Sequence, residues 1–305
     1  MSVLRRFRNR RRIVRVAALA GMALACWLVG SLAATYRLTH RKAATYPEPP
    51  PEVAWGPLES HRIATADGQQ IGAWYAEGLG KGPSVLLLHG NGGSRQSSLG
   101  RASMLAGEGC SVLMITLRAH GDSTGDFHDI GYSARHDVVA AVEFLRRRRP
   151  DRPLIVQGVS LGAAAALFAA GELGDSVAGY ILESPYSDLK TATWNRTNAY
   201  LPPIVDRAAY LGLRMTAPLL LPDFEAIAPI RGIDRIPASV PILILAGDAD
   251  RLARPEEARA FFERARSHAR LEWFEGAGHV DLAHNDPGRY RELVLNFCAR
   301  VARAE

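Results

Sequence analysis

Gly158-Val159-Ser160-Leu161-Gly162 constrains this chain more than any other stretch. An apolar run, Leu154 to Val156, leads into it, and an alanine-rich helical run, Leu161 to Ala170, leads out. A serine hydroxyl is a poor nucleophile until a turn exposes it and a base takes its proton. A sharp strand-to-helix turn supplies that exposure, and the turn needs small residues on both sides of the serine. Gly158, Gly162 and Ala163 are small where crowding would be worst. The five residues therefore predict a buried strand, a nucleophile turn at Ser160, and a helix packed back on the strand.

Two further residues complete a Ser-acid-His set. Asp250 lies in Ala246-Gly247-Asp248-Ala249-Asp250, directly after the apolar run Pro241 to Leu245. His279 lies in Gly276-Ala277-Gly278-His279, after the strand-like Leu271 to Phe274. Each of the three thus falls at the carboxyl end of a predicted strand, the edge where an open α/β sheet builds its sites. His89, His120, His128, His136 and His284 compete for the role of base, and Asp248, Asp281 and Asp286 for that of acid. The flexible Gly-Ala-Gly before His279 leaves its ring free to be presented. Upstream, Val85 to Leu88 runs into His89-Gly90-Asn91-Gly92-Gly93. Such a loop can aim the backbone N–H of Asn91 at an acyl oxygen, beside the N–H of Leu161 just after the nucleophile.

With these motifs the chain resembles the α/β-hydrolase superfamily over roughly residues 58–302, in the branch of serine hydrolases with an H-G-x loop. The resemblance rests on His89-Gly90-Asn91-Gly92, Arg118-Ala119-His120-Gly121-Asp122-Ser123, Gly158 to Gly162, Gly247-x-x-Asp250 and Gly278-His279. It is similar above all to the Bem46-like, serine-aminopeptidase-like group. Relatives there commonly carry Asp-Tyr-Arg-Gly-His-Gly where this chain has Thr116-Leu117-Arg118-Ala119-His120-Gly121. The resemblance implies the order Ser160, Asp250, His279, with the Gly-x-x-Asp pattern selecting Asp250 over Asp248. It also implies that His89 and His120 belong to structural turns.

The rest of the chain fits that fold. Asp67-Gly68 between His61–Ala66 and Gln69–Ala76 is a hairpin signal, expected at the antiparallel edge of the sheet. Strand-like runs recur at Ser84–Leu88, Ser111–Thr116, Pro153–Gln157, Ala178–Glu183, Pro241–Leu245 and Arg270–Phe274. Helical patterns alternate with them at Ser94–Glu108, Ser133–Arg149, Leu161–Gly171, Pro255–His268 and Asp286–Arg303. Alternation of this kind predicts an α/β fold with a mostly parallel eight-stranded sheet and helices on both faces. Residues 187–239 break the rhythm, being too long for a simple crossover and rich in aromatic, aliphatic and proline residues. They are expected to form a cap over the site.

Charge separates the amino-terminal segment from the domain. The chain carries a net +6, but residues 1–42 hold ten basic side chains and no acidic one, which leaves −4 for residues 43–305. A mildly acidic domain has no electrostatic footprint for nucleic acid. Val16 to Thr35 is twenty residues without a charge, about 30 Å as a helix and enough to span a hydrocarbon core. Seven arginines precede it, and the positive-inside rule then keeps the amino terminus in the cytoplasm and the domain on the far side of the cell membrane. A cleaved signal peptide is the competing expectation, with Ser31-Leu32-Ala33 as a small-x-small site, but the apolar stretch exceeds the usual length. The expected organisation is a basic stretch at 1–15, a membrane helix at 16–35, a proline-rich tether at 36–57 and the domain at 58–305.

Three cysteines, Cys26, Cys110 and Cys298, give no disulfide framework and read as packing residues. No Cys/His spacing suits a metal, and no G-x-G-x-x-G opens a helix after the first strand, so no metal or nucleotide cofactor is expected. The sequence therefore predicts a cofactor-free, membrane-anchored serine hydrolase acting on a small-molecule or lipid-like acyl substrate. An aminopeptidase or thioesterase using the same three residues is the alternative, with Asp206, Asp223 or Glu225 available to hold a substrate amine. A non-catalytic binding protein on a hydrolase fold is the third reading.

Overall fold

The computed structural model describes residues 2–41 and 45–303, with side chains from residue 9 onward. Lys42, part of the basic cluster that flanks the apolar segment, lies outside the described residues, as do the side chains of Arg5, Arg6 and Arg8.

The central strands are β3 (Ser84–Leu88), β4 (Ser111–Ile115), β5 (Leu154–Val159), β6 (Gly179–Glu183) and β7 (Ile242–Gly247). They read as unbroken apolar runs because both of their faces are covered. Leu86 and Leu88 enter one core cluster with Leu113, Ile115 and Val156. Their neighbours Val85 and Leu87 enter a second cluster on the opposite face, with Val112, Met114 and Ile155. Helices α3 (Arg135–Arg148) and α4 (Leu161–Leu173) cover the first face. Helix α2 (Leu99–Ala106) and the carboxyl-terminal helix Pro287–Arg303 cover the second.

β1 (Glu59–Ala64), β2 (Gln70–Ala76) and β8 (Ala269–Phe274) complete an eight-stranded sheet ordered β1-β2-β4-β3-β5-β6-β7-β8. The two pairings of β2 are antiparallel and all others are parallel. The expected hairpin closes through Gly68 at φ 87°, where the Gly68 N–H donates to the Thr65 carbonyl at 3.0 Å. The helix expected at Ser94–Glu108 is a 3-10 turn at Arg95–Ser98 followed by α2, with the Ser94 hydroxyl capping the turn, and the one expected at Pro255–His268 ends at Arg264.

The break after β6 is a helical cap, α5 (Leu189–Tyr200) and α6 (Val205–Leu220), followed by two 3-10 turns. Its own small core joins Tyr186, Leu189, Ala192, Ala217, Leu221 and Phe224 to Ala164 of α4. Helix α1 (Ser2–Thr39) is a single rod whose segment 9–39 is long and apolar enough to cross a membrane. Most of that segment is exposed. Ser31, Thr35 and Thr39 are buried and Trp27 is half-buried.

The segment after α1 is pinned to the domain. Arg41 donates to the carbonyls of Gly121 at 2.9 Å and Gly125 at 3.0 Å. Glu48, only 3% exposed, pairs with the buried Arg95 at 3.0 Å and accepts from the Thr116 hydroxyl at 2.7 Å. Proline spacing in this stretch predicts a short stiff tether, and it carries no signal for the Arg41 and Glu48 contacts that dock it.

Candidate active site

Ser160 stands between β5 and α4 at φ 49° and ψ −105°, a backbone conformation that side chains disfavour. The strain is held by neighbours on both sides. The Ser160 N–H donates to the Glu183 carbonyl at 2.8 Å, and the Ala164 N–H returns to the Ser160 carbonyl at 3.0 Å. The flanking glycines are required by space. A Cβ on Gly158 would lie 2.5 Å from the Ala163 nitrogen, and one on Gly162 would lie 2.6 Å from the Leu88 carbonyl oxygen. The turn can be this tight only because α4 begins against β3 and β5 with no side chain between them.

At the ends of β7 and β8 two loops bring the other residues in. Asp250 accepts the N–H groups of Leu252 and Ala253 on Oδ1, at 2.7 and 2.9 Å, which leaves Oδ2 aimed at His279. Asp250 Oδ2 and His279 Nδ1 are 2.8 Å apart, and His279 Nε2 is 3.1 Å from the Ser160 hydroxyl. The Asp250 side chain is fully buried, while that of His279 keeps 22% of its surface. Asp248 has a different position. It is exposed and accepts the Gly276 N–H at 2.7 Å, bracing the loop that carries His279.

The rival histidines sit elsewhere. Burial pushes His89 down to about 3, with nearby His120 and Arg95 adding to the effect, so its ring is neutral. Its Nε2 then accepts the Leu117 N–H at 3.0 Å, and its Nδ1–H donates to the Gly90 carbonyl at 2.7 Å. His120, likewise lowered chiefly by burial, accepts the Gly92 N–H on Nε2 at 3.2 Å. Together the two rings clamp the loop that carries Asn91. His284 is exposed and pairs with Asp281.

A buried network braces these loops from below, and sequence reasoning missed it. Arg101 of α2 donates to Glu183 at 2.7 Å, to the Tyr290 hydroxyl at 2.8 Å and to Asp281 at 2.7 Å. Glu183 also accepts from Gln157 at 2.9 Å. Burial raises Tyr290 well above its ordinary range, and the Glu183 carboxylate adds to it, so the phenol stays a donor. The available signal was a lone arginine one residue before the buried Ala102 and four before Leu105, on the apolar face of a short helix.

Ser160 lies where two cavities meet. One, of about 410 Å³, is mostly apolar and lined by residues including Ile130, Leu161, Tyr186, Leu189, Leu213 and Leu221. The other, of about 350 Å³, carries Arg101, Ser184, Arg196, His279 and Asp281. Asn91, Ser160 and Arg196 border both. Sizes of this order suit small-molecule sites, which run ~300–1,000 Å³.

A mostly parallel eight-stranded sheet, covered on both faces and bearing a helical insertion after β6, is the architecture of an α/β hydrolase. Residues 85–293 match the sequence profile of the Alpha/beta hydrolase family, and the chain belongs to that family. Among its relatives is an uncharacterized protein of Mycobacterium tuberculosis, 29% identical over 246 residues and 79% of either chain. The monoglyceride lipase of Homo sapiens is 27% identical over 290 residues, 79% of this chain and 91% of the lipase. An esterase of Pyrococcus furiosus superposes with a TM-score of 0.68 at 23% identity, over 85% of this chain and 98% of the esterase.

Proposed function

We propose that the protein is a membrane-anchored serine hydrolase that cleaves carboxylic esters through an acyl-enzyme. What carries the reading is the unbroken hydrogen-bond path Asp250–His279–Ser160, at 2.8 and 3.1 Å, ending on a strained serine between an apolar and a polar cavity. In this mechanism Ser160 attacks the ester carbonyl while His279 Nε2 takes its proton. Asp250 holds the Nδ1–H tautomer and stabilises the imidazolium. The backbone N–H groups of Asn91 and Leu161 receive the oxyanion. Leu161 opens α4, so its N–H belongs to the unsatisfied, electropositive end of a helix. His279 then returns its proton to the departing alcohol, and water cleaves the acyl-enzyme with His279 as base again.

The acyl group occupies the apolar cavity and the alcohol leaves through the polar one. An ester is favoured over an aminoacyl amide by the charges at the site. Lys190, Arg196 and Arg214 border the apolar cavity, whereas Asp206, Asp223 and Glu225 border neither. Asp206 is instead bonded to Asn198, and Glu225 to Lys190. A substrate ammonium would meet cations there. The lipase and esterase among the protein's relatives agree with an acyl ester. Seven arginines ahead of the apolar helix orient it with the amino terminus in the cytoplasm and the domain outside it.

The test is labelling of the purified full-length protein with a fluorophosphonate, beside turnover of p-nitrophenyl esters and aminoacyl amides. Ser160→Ala is expected to abolish labelling and to lower ester turnover by several orders of magnitude, up to about 10⁶ by analogy with other triads. Wild-type turnover surviving in the purified variant would refute the mechanism.

A further inference from the structure

The apolar cavity is not closed by the cap and the domain alone. Thr35, Leu38 and Thr39 of α1 line it, opposite Leu189, Leu213 and Ala217 of the cap. These α1 residues belong to the domain-side end of the same helix whose apolar segment can cross a membrane.

The contact that puts them there is regular. Trp27 Nε1 donates to the Ala208 carbonyl at 3.2 Å, and the hydroxyls of Thr35 and Thr216 are 2.7 Å apart. Between them, a Cβ on Gly212 would lie 2.1 Å from the Ser31 hydroxyl oxygen. All three contacts keep one sequence offset, so α1 and α6 run parallel, in register, over two turns or about 12 Å. Small residues at every fourth position, Ser31 and Thr35 against Ala208, Gly212 and Thr216, let the two backbones approach as helices do within membranes. This stretch of α1 is the last part of the uncharged Val16–Thr35 run. One residue away around α6, roughly 100° on the helix, Leu211, Met215 and Leu219 form an exposed apolar stripe, with exposed Arg207 and Arg214 beside it. Tyr200, Ile204 and Val205 extend it over the α5–α6 turn, all more than half exposed. An exposed apolar stripe is a liability on a water-facing cap, and beside a membrane helix it suits contact with lipid.

We infer that α1 is a structural wall of the acyl site as well as an anchor, and that α6, with Arg207 and Arg214 at its exposed surface, lies beside it at the membrane interface nearest the domain. The occupant of the cavity is then the single acyl chain of a membrane lipid ester, which reaches Ser160 from the bilayer between α1 and the cap. Leu38, facing the cavity from α1, sets how long a chain fits. The inference rests on the ester-hydrolase reading above.

The full-length protein in mild detergent tests it with p-nitrophenyl butyrate and p-nitrophenyl laurate, with fluorophosphonate labelling beside them. In Leu38→Trp the laurate-to-butyrate ratio of kcat/KM is expected to fall about tenfold or more, and in Leu38→Ala to rise, since pocket volume discriminates chains by such factors. A ratio that stays at the wild-type value in both variants overturns the inference. Should Leu38→Trp lose labelling, and so its fold, the direction in Leu38→Ala decides. Wild-type protein that neither labels nor turns over either ester would instead refute the ester-hydrolase reading itself.

Discussion

Asp248 and Asp250 are two residues apart in one loop, yet they face different problems. Asp250 is fully buried, holds two backbone N–H groups and points its second oxygen at His279. Asp248 is exposed and holds one N–H of the neighbouring loop. Asp250→Asn would present an amide N–H to the ring, favour the wrong tautomer and leave the imidazolium without its counter-charge. The expected loss in kcat reaches about 10⁴, as in other triads. Asp248→Asn keeps an oxygen for the Gly276 N–H and is expected to change kcat little. Steady-state ester hydrolysis by the two purified variants checks this, and equal losses would mean that the acid is misassigned. The glycine-rich spelling of these loops made both aspartates visible in the sequence. Which of them is buried against the histidine depended on the β7 and β8 loops meeting, through the Ala249 N–H to the Ala277 carbonyl at 3.0 Å.

At the scale of elements, the strand-turn-helix around Ser160 is both strained and crowded. Helix α4 carries four consecutive alanines, Ala163 to Ala166, all buried without measurable exposure. Ala163, Ala165 and Ala166 belong to the core cluster on the sheet, and Ala164 to that of the cap. Gly162 is a close approach as well, against the Leu88 carbonyl. Gly162→Ala is therefore expected to destabilise the protein despite the higher helix propensity of alanine. Overpacking of this kind costs about 1–3 kcal/mol, against roughly 1 kcal/mol gained in propensity. A drop in the urea midpoint measures it, and because Ser160 would shift with α4, ester turnover should fall in the same variant. An unchanged midpoint and rate would show that α4 can move away from β3 without cost.

The whole molecule joins a helix with a long apolar segment to an α/β domain, and the stiff proline-rich joint is also docked on the domain. Arg41 and Glu48 clip the connecting segment to the domain, and α6 packs along α1. The full-length protein is expected to remain with membranes through alkaline carbonate washing and to be released only by detergent. Recovery of the protein in the carbonate wash, with a new amino terminus near Ala34, would show that the segment is a cleaved signal instead. Such a cleavage would also cut α1 between Ser31 and Thr35, the two residues buried against α6.

Period and punctuation determined a good deal here. Unbroken apolar runs alternating with helical patterns made the parallel sheet legible, because strands covered on both faces must be apolar on both. Asp67-Gly68 marked the antiparallel edge, and Gly158 to Gly162 marked the nucleophile turn, since only small residues survive there. These are local constraints, written where they act. Tertiary structure alone decided the contacts between distant segments. Arg101 reaches Asp281 across 180 residues, and Thr35 reaches Thr216 across 181. No local pattern ties such residues together, because each is compatible with many surroundings until the chain folds. The same reason hid the double character of α1: its composition specifies an apolar helix, but only the packing of α6 against Ser31 and Thr35 turns one face of it into a wall of the cavity.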